Sequence, residues 1–347
     1  MLHFDCDYME GAHPEVMRRL METNLEQTPG YGNDRYTGNA KKLILEACGL
    51  DGETGKVFLL VGGTQTNATV IDGLLARHEG VLSADTAHIN VHEAGAIETT
   101  GHKVLTLPSY DGKVKAADIE KYIKDFYTDE SHMHMVTPGM VYISHPTELG
   151  TLYDLRELEA ISKACRKAGI PLYLDGARLG YGLAADGTDV TLKDVARLCD
   201  VFYIGGTKIG TLFGEAVVVT RPDLLKNFIP LVKQHGALLA KGRLLGIQFE
   251  TLFTDGLYMG ISRHAVNMAM KLKKAFTDNG YRLFIDSPTN QQFVYLPNEE
   301  IDRLRKIASF ELWGPRKDKE TPVRLVTSWA TREEDVNEFI SYLVKEH

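Results

Sequence analysis

Four short segments gather residue types that a protein core has no use for. The first, Gly62-Gly63-Thr64-Gln65-Thr66-Asn67, follows the apolar run VFLLV (57–61) and opens a helical pattern. Glycines let the backbone approach a ligand, a helix N-terminus offers free N–H groups, and Thr64 adds a hydroxyl, so the segment can form a phosphate cup. It reads equally well as a plain helix start with Thr64 at the N-cap. The second, Asp175-Gly176-Ala177-Arg178, follows another apolar run. An acid buried there is costly unless something cationic meets it. Either Arg178 is that partner, or Asp175 holds a protonated ring nitrogen while Arg178 faces an anionic oxygen on the same ring.

Lys208 ends the third segment, Gly205-Gly206-Thr207-Lys208, among glycines where a surface lysine gains nothing. A desolvated lysine has a lowered pKa and is a usable amine nucleophile. The segment lacks the G-x-x-x-x-G-K-[ST] order of a nucleotide loop. The fourth, Ala87-His88-Ile89-Asn90-Val91-His92-Glu93, offers His88 as a flat ring to stack on a ligand ring. His88 and His92, with Glu93 adjacent, also have a spacing seen in metal pairs. The H-E-x-x-H order and a third ligand are missing, so no metal is expected. A phosphate cup, an acid with a nearby arginine, and a lone lysine, in that chain order, suit pyridoxal 5′-phosphate (PLP). Lys208 would form the Schiff base, Asp175 would keep the pyridinium protonated, and Arg178 would meet the phenolic oxygen.

These segments need a scaffold that delivers them to one edge. Apolar runs at 57–61, 81–84, 103–107, 140–144, 171–174 and 200–204 read as strands, mostly without alternation, as a parallel sheet covered on both faces demands. Helical patterns at 64–76, 116–126, 155–168 and 193–198 lie between them, giving an α/β sheet whose ligands sit at the carboxyl ends of its strands. After Thr220 the pattern changes. Long helical stretches at 222–233, 236–254 and 260–279 lead into an α+β tail. The expected division is an arm with an active-site loop over 1–40, a cofactor-binding domain over 41–255, and a small C-terminal domain over 256–347.

Composition narrows the function. The chain has 347 residues, 44% hydrophobic and 25% charged, which is ordinary globular usage and ample for a core without metal or disulfide staples. A net charge of −8 leaves no broad basic face for nucleic acid. No apolar run approaches the ~18–20 residues of a membrane span. The first residues have neither a charged nor an apolar signal region, and Cys6, Cys48, Cys165 and Cys199 are scattered. A cytoplasmic protein with free thiols is the expectation.

Together these segments resemble the threonine aldolase family, among the β-eliminating lyases of the aspartate-aminotransferase fold, from about Phe4 to the C-terminus. Tyr31-Gly32-Asn33-Asp34 resembles the family's Y-G-x-D, Gly63-Thr64 with Asn67 its G-T-x-x-N cup, and His88 with Glu93-Ala94-Gly95-Ala96 its stacking histidine and E-A-G-A segment. Asp175 to Arg178 matches D-G-A-R, Lys208 falls where the Schiff-base lysine belongs, and Val323-Arg324-Leu325-Val326-Thr327 resembles V-R-x-V-T. The resemblance implies the PLP-dependent transferase-like fold (fold type I), with a mostly parallel sheet sandwiched by helices and a smaller α+β domain. It implies Lys208, His88, Asp175 and Glu93 as catalytic, and Gly63, Thr64, Asn67 and Arg178 at the cofactor. Arg243 aligns with a phosphate-binding arginine lent by a neighbouring subunit. Tyr31, Arg178 and Arg324 would hold the substrate, and the assembly would be a homodimer or homotetramer.

The implied reaction is retro-aldol cleavage of a β-hydroxy-α-amino acid to glycine and an aldehyde, with His88 as base or as the positioner of a water. Two departures stand out. Asp5-Cys6-Asp7-Tyr8-Met9-Glu10 replaces the family's R-S-D-T-x-T opening, and 144–151 (SHPTELGT) replaces an E-N-T-H-like loop, leaving His145 or Glu148 to handle the β-hydroxyl proton. The competing readings are a PLP-dependent β-eliminating lyase or aminotransferase, with Glu148 or Glu93 as acid–base, and a non-catalytic binding protein on the same fold.

Overall fold

The computed structural model describes residues 1–343. The N-terminal strand β1 (Leu2–His3) belongs to the smaller of two hydrophobic cores. The larger core is built on β2 (Lys56–Leu60), β3 (Glu79–Ala84), β4 (Lys103–Leu107), β5 (Thr137–Ser144), β6 (Leu172–Asp175), β7 (Val201–Gly205) and β8 (Glu215–Val219). Their spatial order is β2-β8-β7-β6-β5-β3-β4. β8 runs antiparallel between β2 and β7, and every other pair is parallel. β6, β7 and β8 are buried along their whole length, which is why their sequences do not alternate.

The parallel strands share a direction, so the ends of β2, β3, β5, β6 and β7 deliver their loops to one edge. β8 contributes there through its first residue, because Glu215 pairs with both Leu60 and Gly205. Sequence reasoning omits β8. It follows the Lys208 loop with no intervening helix, so it breaks the β-α alternation by which the other strands are recognised.

The first two helical stretches after Thr220 are shorter than their patterns predict. Helices cover Phe228–Gln234 and Arg243–Leu252, and Gly236, at φ 72°, ends the first. The small domain holds a four-stranded antiparallel sheet of β9 (Leu283–Ile285), β10 (Gln291–Pro297), β12 (Glu311–Leu312) and β13 (Glu320–Val326). A parallel pair of β1 with β11 (Ala308–Ser309) stands beside it.

Single elements contribute on both sides of the expected domain limits. The 22-residue helix Leu257–Asp278 buries Tyr258, Ile261, Ala265 and Val266 in the large core, but Met268, Leu272, Ala275 and Phe276 in the small one. The cores therefore exchange within this helix, beyond residue 255. Helix Arg35–Cys48 crosses the 40/41 limit with Ala40, Ile44 and Leu45 in the large core, while Leu2 and Phe4 of the arm join the small core.

Candidate active site

The carboxyl edge of the central sheet holds a cavity of about 150 Å³. Gly63, Thr64, Asn67, His88, Glu93, Glu148, Asp175, Arg178 and Lys208 line it. A wider surface groove, about 820 Å³, lies elsewhere between Glu15, Arg18, Arg19 and Glu250. Its charged side chains pair with one another, as Arg18 does with Glu15 and Glu22, and it holds no buried amine.

Asp175 ends β6 and is buried, yet its cationic partner is not Arg178. Its Oδ1 accepts the Tyr203 hydroxyl at 2.5 Å and the Ala177 N–H at 2.9 Å; its Oδ2 accepts the Tyr142 hydroxyl at 2.6 Å and the Asn67 amide at 2.9 Å. Burial alone would raise its pKa, but these donors outweigh it and hold the group below the ordinary carboxylate value. The simple Asp–Arg pair is thereby overturned. Arg178 instead grips Asp7, with Nε to Oδ2 at 2.6 Å and Nη2 to Oδ1 at 2.9 Å, leaving Nη1 without a partner among the described residues. Asp7 also accepts from Asn290 at 2.9 Å.

Asn67 is the junction of the site. Its amide donates to Asp175 and, at 2.8 Å, to Glu93, while its oxygen accepts the Tyr173 hydroxyl at 2.8 Å. Glu93 Oε1 in turn meets His88 Nδ1 at 2.7 Å, with the Glu93 side chain fully buried. Glu93 therefore positions the His88 ring through Oε1, while its Oε2 is buried without a partner among the described residues.

Helix Gly63–Leu74 starts at Gly62, with no side-chain cap. The N-cap reading of Thr64 is overturned, and the first N–H groups of the helix remain free at the cavity. Lys208 Nζ makes no hydrogen bond or ion pair within the described residues. Burial lowers its pKa and Arg178 adds to the effect, partly offset by Asp7, Asp175 and Glu215. Glu215, buried at the start of β8, accepts from the Gly206 N–H at 3.1 Å; its pKa is raised by burial.

Three expected contacts lie outside this cavity. Arg243 donates to the carbonyls of Thr23, Asn24 and Glu26 at 2.7–3.1 Å and so caps the end of helix Pro14–Glu22. Those bonds occupy its Nη1 and Nη2 within this chain. Arg324 pairs with Glu311, donates to Gln291 Oε1 at 3.1 Å and stacks on Trp313. Its charge still reaches the site, where Arg178 and Asp7 are among its neighbours. Tyr31 is half-exposed, at φ 59°, with its ring under Lys233 Nζ at 4.9 Å.

His145 is fully buried against Tyr153, with both ring nitrogens unpartnered, and does not line the cavity. That removes it as a handler of the β-hydroxyl proton. Tyr142, Tyr203, Asp7 and Glu215 were missed as site residues. A usable signal existed for the tyrosines: a buried strand tyrosine must find a partner for its hydroxyl. Among the described residues no group of three or more metal-ligating side chains comes together, and no helix is long and apolar enough to cross a membrane.

The donor set fits a phosphorylated, protonated aromatic ring. An ionised acid is held by four donors, an amine lacks a partner, and a helix start leaves its amides free. Comparison with known proteins agrees. The β-eliminating lyase family matches residues 4–298. The low specificity L-threonine aldolase of Pseudomonas aeruginosa is 30% identical over 305 residues, 87% of this chain and 86% of that protein. The structure of Leishmania major threonine aldolase superposes with a TM-score of 0.95 at 42% identity, covering 99% of this chain and 98% of that one. Aspartate aminotransferase from Thermus thermophilus, at 14% identity and a TM-score of 0.69, shares the fold, over 99% of this chain and 92% of that one. In sequence and in fold alike, this chain belongs to the β-eliminating lyase family, among its threonine aldolases.

Proposed function

We propose that this protein is a PLP-dependent carbon–carbon lyase that cleaves β-hydroxy-α-amino acids of the threonine and allo-threonine type to glycine and an aldehyde. The observation that carries this reading is the pairing of an ionised Asp175 with an unpartnered Lys208 amine in one cavity. The Gly63–Leu74 helix start and Thr64 would hold the phosphate, Asp175 the ring nitrogen, and His88 the ring face. When bound, PLP acts as a sink for the electron pair released at the substrate's α-carbon.

The chain's own residues do the rest. Lys208, desolvated and without a partner among the described residues, would be the amine that holds the cofactor. Arg178, locked in a two-point grip by Asp7, keeps Nη1 for a substrate carboxylate, with the charge of Arg324 nearby. The Glu93–His88 bond fixes the ring that covers the site.

The active unit in this reading is a homodimer or homotetramer. Tyr31 supports it: a non-glycine residue in the left-handed region, half-exposed and away from its own Lys208, matches a loop that completes a neighbour's site. Four free cysteines support a reducing, cytoplasmic setting.

The test is a visible spectrum of the protein with PLP, followed by borohydride reduction and mass analysis. A band lost on reduction, with the adduct on Lys208, is expected, as is glycine release from threonine that disappears in Lys208→Ala. Cleavage that survives Lys208→Ala unchanged sinks the reading.

A further inference from the structure

Beyond β5, the loop 144–150 brings one carboxyl into the cavity, that of Glu148, which lines it together with His88 and Lys208. Its Oε1 is taken: it accepts the Ser144 hydroxyl at 2.7 Å and the His88 backbone N–H at 2.9 Å. Its Oε2 bonds to no other described residue. The other acids of the site are bound or enclosed. Both oxygens of Asp175 carry two donors each, the fully buried Glu93 gives Oε1 to Asn67 and His88 and has no partner for Oε2 among the described residues, and Glu215 is tied to the Gly206 N–H on the lysine's own loop. The bonds from the His88 N–H and from Glu148's own backbone N–H fix the carboxyl against the turn that carries the stacking ring, so Oε2, to which no other described residue bonds, is held in place rather than left to rotate.

We propose that Glu148 is the group that takes the substrate's β-hydroxyl proton, through Oε2; this rests on the retro-aldol reading given above. The step balances within the substrate. The hydroxyl O–H bond breaks and its proton moves to Oε2. The O–H electron pair becomes the second bond of the aldehyde carbonyl, and the Cα–Cβ pair departs with Cα. Glycine formation returns one proton to Cα, so no oxidant, reductant or net proton is consumed.

The surroundings make Glu148 a better base than an ordinary carboxylate. Burial raises its pKa, and the negative charge of Asp175 adds to that, against the Ser144 hydroxyl, its own backbone N–H and the His88 N–H, which lower it. The other titratable groups around it are His88 and Lys208, which share the cavity, and the hydroxyls of Tyr142 and Tyr153.

The experiment separates cleavage from α-carbon chemistry. Exchange of the glycine α-hydrogen with D2O, followed by proton NMR, uses the cofactor and Lys208 but needs no β-hydroxyl base. With PLP-loaded protein, Glu148→Gln is expected to lower kcat for threonine and allo-threonine by about 100-fold or more. It should leave glycine exchange at the parent rate and the calorimetric affinity for glycine unchanged. Glu148→Asp should recover part of the loss and shift the acidic limb of the kcat profile. Cleavage by Glu148→Gln at the parent rate overturns the proposal. So does an equal loss of exchange and cleavage, which would mean that Glu148 acts only by holding the His88 turn. A parent protein that exchanges glycine yet cleaves neither substrate overturns the retro-aldol reading itself, and shows it before any variant is compared.

Discussion

Asp175 carries a charge that burial opposes, and hydrogen bonds rather than a counter-ion sustain it. Tyr142 and Tyr203 flank it from β5 and β7, and Asn67 reaches it from the helix after β2. His145 shows the opposite solution. It is buried with no partner for either nitrogen, and burial, with the nearby charge of Lys113, pushes its pKa down to about 4. Between its ordinary value near 6.5 and that lower value, the unfolded chain binds a proton that the folded one refuses. Stability from this residue is therefore complete above pH 6.5 and is lost as pH falls toward 4, by about 3 kcal/mol. Denaturation midpoints across that range should show the loss, and His145→Leu should flatten the slope. An unchanged slope would refute this account.

Elements position the site through close backbone approach. Gly176 follows β6, and a Cβ there would lie 1.9 Å from the Tyr203 carbonyl oxygen of β7. Nothing flexible can yield, because the obstacle is main chain. Gly176→Ala is expected to destabilise the fold by more than ~3 kcal/mol and to part the Tyr203–Asp175 bond. Thermal unfolding of the purified variant checks the first part, and its affinity for PLP checks the second; a variant as stable as the parent would contradict the packing. The β-α alternation made six of the seven central strands legible in the sequence, since unalternated apolar runs demand two covered faces. β8 escaped because its burial comes from insertion between β2 and β7, a pairing that no local pattern records.

Across the whole molecule, the N-terminal arm links the small core to the site. Phe4 is buried against Phe339, its carbonyl accepts the Val326 N–H, and three residues later Asp7 reaches Arg178. Phe4→Ala should cost about 3–5 kcal/mol, read from denaturant midpoints. It should also raise KM for the amino acid more than it lowers kcat, because Asp7 then holds Arg178 less firmly. A rise in neither constant would show that the arm is merely packed. The same long-range logic governs the helix Leu257–Asp278, which serves both cores with one continuous pattern.

By itself the sequence determined the chemical inventory: the cup at Gly63-Thr64, the acid Asp175, the amine Lys208 and the ring of His88, each at a strand end where a parallel sheet collects its ligands. Neighbouring residue types and strand periodicity are local properties, and they survive without a fold. Partnerships are not local. Only the tertiary structure decided that Arg178 belongs to Asp7, that Tyr142 and Tyr203 hold Asp175, that Arg243 caps a helix, and that Glu148 and not His145 faces the cavity. The reason is geometric. Hydrogen bonds act within about 3 Å, and which side chains come that close is set by strand order and domain packing, across separations in sequence of 171 residues in the Asp7–Arg178 pair and 283 in the Asp7–Asn290 pair.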